Sequence, residues 1–272
     1  MARRSGGKKV YIMTDLEGAS GLVTARGQGQ IGQEGATMYQ MYRHFLTQDV
    51  NAAVAGAFDG GAETVVVNDG HGTTDHNVLP NELDERALLE RPALGNWLPS
   101  LDATFDALFC VGCHAMAGTR KGFLDHTQSS THIYGYWLNG TEVGEIGQMA
   151  AIAGHYGVPV VFVTGDLAAT KEAVKLVGPI ETVAVKEGLC RNYARGMHPS
   201  AARKLIRESA ARAMAKIGHT KPWVLKRPIT MRVAYTRSDY AEGHAASKKY
   251  ISRLIDARTV EVKLQNITDM FG

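Results

Sequence analysis

Cysteine is scarce in this chain. Its 272 residues hold only Cys110, Cys113 and Cys190, too few and odd in number for a disulfide framework. That fits a reducing compartment, and a cytoplasmic location is the expectation. Aromatic residues make up only 7%, and no basic run is interleaved with them. With a formal net charge of just +3, a nucleic-acid partner is not expected. No apolar stretch is long enough to span a bilayer, so no membrane partner is expected either. The opening MARRSGGKK carries an Arg pair, but VYIMTDLEG meets acid before an apolar h-region could form; neither a secretory nor a twin-Arg signal is expected. Internal repeats, low-complexity tracts and linkers are also missing. What remains is an ordinary globular composition, 44% apolar and 21% charged, long enough to bury a sizeable core.

The apolar residues that are present fall into a regular order. KVYIMT (9–14) is a short buried run ending at Asp15. Over 36–59, Met38, Tyr42, Phe45, Leu46, Val50, Ala53, Val54, Ala57 and Phe58 recur at three- and four-residue steps, which predicts one apolar helix face, stopped by Gly60-Gly61. ETVVVND (63–69) follows as a β-branched strand, so strand, helix and strand make a parallel βαβ unit. Further strands are expected at 106–112, 132–138, 158–165 and 181–186, with Asn139-Gly140 as a tight turn. Helices are expected from Glu145 to Gly157, over 167–177, and from Pro199-Ser200. Strands at 229–235 and 259–265 complete the series. The fold class is therefore α/β, a mainly parallel sheet flanked by helices, with a smaller α+β C-terminal portion. The expected organisation is a disordered extension over 1–8, an α/β core over 9–190, and a portion over 191–272 that completes the core, walls the substrate or makes subunit contacts.

Three of these strands end alike: T-D-L-E-G with Asp15 and Glu17, N-D-G-H-G with Asp69 and His71, and C-V-G-C-H with His114. Ligands of parallel α/β sheets bind at the carboxyl ends of strands, so acids and histidines gather at the edge where such a fold builds its site. Asp15 and Glu17 are two apart and would point the same way from extended chain. Glu145 opens a helix, where the dipole alone could account for a carboxylate. His126, in G-F-L-D-H-T, has no structural reason visible in the pattern. Singly, the acids read as solvated loop or turn residues and His71 as a loop or helix-capping histidine. Together they point to an oxygen- and imidazole-ligated metal site suited to zinc or manganese. Asp69, two before His71, is a candidate for orienting an imidazole.

CVGCH (110–114) also spells the covalent haem-attachment motif. An exported electron carrier needs a signal the chain does not show, and Ala107, Leu108 and Phe109 read as buried strand just before Cys110. A buried cysteine followed by one metal-binding histidine, His114, is the better account.

T-D-L-E-G, V-N-D-G-H, G-C-H-A, D-H-T and V-G-E-I-G, with V-T-G-D-L-A-A-T-K-E-A (163–173) and A-V-K-E (184–187), together resemble the zinc-dependent D-aminopeptidases of peptidase family M55, the DppA type. The resemblance runs from about residue 9 to 200. It implies a two-zinc centre in which Asp15 bridges, Glu17 and His71 complete one site, and His114 and Glu145 complete the other. It implies His126 as the catalytic histidine, with general base, proton shuttle and nucleophile all chemically open to it. It further implies a ring-shaped homo-decamer and release of N-terminal D-amino acids from short peptides such as D-Ala-D-Ala. The alternatives are an amidase with the same metals acting on a small non-peptide amide, and a non-catalytic oligomeric binding protein.

Overall fold

A computed structural model describes residues 7–25, 33–72, 76–92, 96–247 and 251–271. The first six residues of the expected N-terminal extension lie outside the described residues, whereas Gly7 and Lys8 are placed and Lys8 already opens a strand. In chain order the elements are β1 (Lys8–Thr14), α1 (Gln33–Asp59), β2 (Ala62–Asn68), β3 (Leu88–Glu90), β4 (Ala107–Cys113), β5 (Ile133–Leu138), β6 (Thr141–Glu142), α2 (Glu145–His155) and β7 (Val160–Asp166). Then come α3 (Leu167–Val177), β8 (Glu181–Cys190), β9 (Tyr193–Gly196), α4 (Pro199–Met214), β10 (Ile229–Tyr235), α5 (Ser238–Ala246), β11 (Ile251–Leu254), β12 (Thr259–Leu264) and a closing 3-10 turn (Ile267–Phe271).

The main sheet runs β3-β2-β1-β4-β7-β8-β9 and is parallel except for β9. From β1 the chain first moves outward through β2 to β3, then returns to place β4 on the other flank of β1. The strand order therefore reverses at β1/β4, which is where an open parallel sheet opens its ligand crevice. A second, antiparallel sheet runs β11-β12-β10-β5-β6. Its β5–β6 hairpin turns through Asn139 and Gly140 at φ 48° and 81°, the two left-handed residues a type I′ turn requires.

Side-chain alternation along β1 divides the core into two layers. Val10 and Ile12 face α1 and α4, where Tyr42, Leu46, Val50, Ala53, Val54 and Ala57 form the buried stripe expected from their spacing. Tyr11 and Met13 face the other way, toward α2, α3 and the second sheet. The expected division at residue 190 coincides with the end of β8. By packing, however, β9 and α4 continue the first sheet and its cover, while β5 and β6, from the middle of the chain, build the second sheet. The edge strands β3, β9 and β11, of three or four residues each, carry too little alternating pattern to be predicted.

A bulge shapes the crevice. The β4–β7 register slips between Cys110 and Cys113, and Gly112 there has φ 80°. Such a bulge re-aims the residues that follow it. The turn after β1 is laid directly on the bulge: Asp15 N–H donates to Val111 O at 2.8 Å and Gly18 N–H to Gly112 O at 2.7 Å. A β-carbon on Gly18 would lie 2.1 Å from Cys113 O and 2.4 Å from Gly112 C, both rigid backbone. Gly18→Ala should therefore pry the turn off β4 at about 1–3 kcal/mol, the scale of core overpacking. Chemical denaturation measures this, and an unchanged midpoint would refute the close packing.

Candidate metal centre

The residues singled out at the strand ends meet at the β2-β1-β4 edge. Asp15 and Glu17 lie in a turn just past β1, not in extended chain, and the bend still turns both carboxylates to the same imidazole. His71 Nδ1 sits 3.0 Å from Asp15 Oδ1 and 3.0 Å from Glu17 Oε2. On the opposite side, His114 Nε2 lies 3.3 Å from Asp15 Oδ2 and 3.5 Å from Glu145 Oε1. His126 Nε2 is 3.8 Å from the same Glu145 oxygen, and its ring stacks on that of His114 at 3.8 Å between centroids and 11° between planes. Two compact ligand groups result, Asp15/Glu17/His71 and His114/His126/Glu145. The two Asp15 oxygens face one group each.

Backbone carbonyls fix the imidazoles. Ala115 O lies 2.9 Å from His114 Nδ1, and Leu124 O 2.7 Å from His126 Nδ1. A carbonyl only accepts, so each Nδ1 carries a proton and each Nε2 is the nitrogen left to face the centre. Leu124, at φ 50°, is tied to Arg191 O, and Asp125 accepts Gly118 N–H and pairs with Arg191, which anchors the loop that carries His126. Glu145 Oε1 accepts Gln128 N–H at 2.7 Å. Asp69 is buried behind the centre, where it accepts Asn77 N–H and faces His76 and Arg91. It does not orient the His71 ring as expected. It closes the loop from which Asn77 Nδ2 donates to His71 O.

The electrostatics call for positive charge here. Burial, and then the Glu17 carboxylate, push Asp15 up to about 6. Burial also opposes ionisation of Glu17 and Glu145, but facing His71 and His114 respectively outweigh it and hold both carboxyls below their usual range. Burial works against charge on His71 and His114 as well, yet the carboxylates around them raise both well above the ordinary histidine value. Glu17 Oε2 and His114 Nε2 are buried without a hydrogen bond. Buried carboxylate oxygens and imidazole nitrogens aimed at one another across so small a space suit a cation between them. Cys113 is not among these ligands. Its hydrogen bond to Cys110, and then burial, push its thiol well above the ordinary range, and only a thiolate ligates. Cys110 and Cys113 are 0% and 2% exposed, so neither could take a haem.

Three features of the site were not legible in the sequence. A cavity of about 260 Å³ beside the centre is lined by Gly70, Gly72, Pro92, Trp97 and Gln128 together with Asp15, His71, His126 and Glu145. Trp97 is held by its Nε1–H donating to Gly70 O and by edge-on packing against Phe271. Behind Asp15 and Glu17, the fully buried Lys186 donates to Glu17 O and Leu22 O at 2.6 Å each, while Asp49 accepts Ser20 N–H and Oγ–H at 2.7 Å each.

The family model described as D-aminopeptidase, peptidase M55, matches residues 8–272. The chain belongs to the M55 D-aminopeptidase family. It is 32% identical over 218 residues to the D-aminopeptidase of Bacillus subtilis (strain 168), covering 79% of this chain and 76% of that protein. A solved structure of the Zn-dependent D-aminopeptidase DppA from Bacillus subtilis, described as a self-compartmentalizing protease, superposes with a TM-score of 0.89. It shares 27% identity with this chain, over 97% of this chain and 94% of that one. The family match thus takes in the last third, where the sequence motifs give out.

The buried frame makes a pH prediction. Burial raises Asp49 from 3.8 to about 6 despite its bonds to Ser20. A folded pKa above the unfolded one favours the protonated form. The contribution of Asp49 is therefore full below pH ~3.8 and lost as pH rises to ~6, about 3 kcal/mol in all. Asp49→Asn should remove this component, so that the urea-stability difference between wild type and variant changes across that window and is flat above it. A constant difference from pH 3.5 to 7 would sink the assignment.

Proposed function

We propose that this chain is a zinc-dependent D-aminopeptidase that releases the N-terminal residue of short D-amino-acid peptides, and that it works through two metal ions. The observation that carries the two-ion form is the division of Asp15, with Oδ1 toward the His71 group and Oδ2 toward the His114 group. Asp15 would bridge, Glu17 and His71 would hold one ion, and His114 and Glu145 the other, three carboxylates offsetting four positive charges. Bound there, divalent ions polarise a scissile carbonyl and lower the pKa of a water.

The chain's own residues supply the rest. The cavity against Trp97 and Gln128 is bordered by His126, and a small peptide bound there would lie beside its ring. With Nδ1–H committed to Leu124 O, His126 can exchange a proton only at Nε2, the atom facing the centre. That suits taking a proton from the attacking group and returning it to the leaving amine. Trp97 and Pro92 line this cavity of about 260 Å³, a size that would suit small side chains such as D-Ala. As the described relative is self-compartmentalizing, we extend to this chain a closed homo-oligomer, in the form of a decameric ring.

His126→Ala should keep its fold and two zinc per chain while losing most turnover of D-Ala-D-Ala, about 100–10,000-fold for a lost acid-base group. Loss of one zinc equivalent would instead make His126 a ligand, consistent with its place in the His114/Glu145 group. Wild type should cleave D-Ala-D-Ala in preference to L-Ala-L-Ala and to simple amides. Equal rates on all three, or no zinc uptake, would overturn the assignment.

A further inference from the structure

Glu172 lies on α3, far in sequence from every residue of the centre, yet its carboxylate ends on the segments that carry the His114 group. Its Oε2 accepts Met116 N–H at 2.8 Å. That N–H belongs to the Ala115–Met116 peptide, whose carbonyl, Ala115 O, accepts His114 Nδ1–H at 2.9 Å and His126 N–H at 3.2 Å. One peptide plane is thus held by Glu172 on its donor side and holds both histidines on its acceptor side. Glu172 Oε1, buried with no hydrogen-bond partner, lies against Gly144. Gly144 is the N-cap of α2 and has no side-chain cap of its own, and Glu145 is the next residue. The fit leaves no slack, since a β-carbon on Gly144 would lie 2.7 Å from both Glu172 Oε1 and Met116 Cβ.

We propose that Glu172 is a positioning residue for the His114/Glu145 half of the centre, acting through the Ala115–Met116 peptide on the His114 imidazole and through Gly144 on Glu145. Metal-binding histidines commonly give their second N–H to a carboxylate or carbonyl. Here a carboxylate and a carbonyl act in series. An acceptor held on a peptide N–H polarises its C=O, which strengthens Ala115 O as an acceptor and makes His114 Nε2 a better donor of electrons. The Asp15/Glu17/His71 half has no link to Glu172 among the described residues and depends instead on Lys186 and Asp49. Glu172 does not line the substrate cavity. It borders a separate hollow of about 330 Å³ with Met116, Thr119 and Lys171, so it acts on the chemistry only through these backbone groups.

The inference rests on the two-metal assignment. The test is calorimetric titration of the metal-free full chain with zinc, for wild type, Glu172→Ala, Glu172→Asp and Glu172→Gln, with Tm in chelator recorded for each. Wild type should bind two equivalents. In Glu172→Ala, and in the shortened Glu172→Asp should the alanine variant not fold, one equivalent should weaken about 10–100-fold, the range for lost partners of metal-binding side chains, while the other keeps its affinity. Glu172→Gln retains an oxygen for Met116 N–H and should recover most of the loss. Unchanged affinities, or equal weakening of both equivalents in step with Tm, would overturn the positioning role alone. A wild-type chain that takes up no zinc would overturn the metal-centre assignment itself.

Discussion

The whole centre depends on the point at which Asp15 leaves β1. This strand has β2 on one side and β4 on the other, and the topology reverses there. A carboxylate at its tip is the one side chain that can face residues delivered by both neighbours. Its Oδ1 meets His71 from the β2 end and its Oδ2 meets His114 from the β4 end. Placing it costs main-chain regularity: a bulge with Gly112 in the left-handed region, and a turn that packs Gly18 onto that bulge. Those irregularities lie where a continued ladder would have carried His114 past the crevice.

The second constraint is charge. Gathering Asp15, Glu17 and Glu145 in a space this closed is unfavourable unless positive charge joins them. The protein meets part of that demand with imidazoles and part with the fully buried Lys186, whose own value burial lowers to about 7 even though Asp166, Asp49 and Glu17 oppose it. Lys186 spends its donors on two carbonyls of the Asp15–Leu22 turn. It therefore fastens the turn while lying too deep to act as a ligand, and the same side chain serves geometry and charge balance.

Much of this was legible in the sequence because the proposed ligands sit where periodic strands stop. β1, β2 and β4 announce themselves by apolar runs, and the acid or histidine that follows each run is the residue delivered to the edge. The long stripe of α1 was equally plain. Lys186 and Glu172 were not, because a lone charge within an apolar strand or on an amphipathic helix reads as solvated until tertiary packing buries it. The inserted β5–β6 hairpin was misleading for a related reason. Its residues look like one more strand of the core, and only antiparallel pairing with β10, some ninety residues later, assigns it to the second sheet. Asp69 shows the converse, since its proximity to His71 in sequence suggested an imidazole partner, whereas its oxygens serve the loop.

The centre and the wall of the cavity beside it are built by different rules. Every proposed ligand lies at a strand end or a helix start, and its position follows from the parallel sheet. The wall is assembled from loops and from the end of the chain. Trp97 comes from the irregular stretch between β3 and β4, hangs on Asn68 Nδ2 and Gly70 O, and leans on Phe271 with ring centroids 5.2 Å apart at 76°. The closing 3-10 turn thus reaches the cavity wall through the Trp97–Phe271 ring contact. Loop and terminal segments vary more freely than strand ends. The shape of this cavity can therefore change at Trp97 and Phe271 while Asp15 and its partners stay where the sheet puts them.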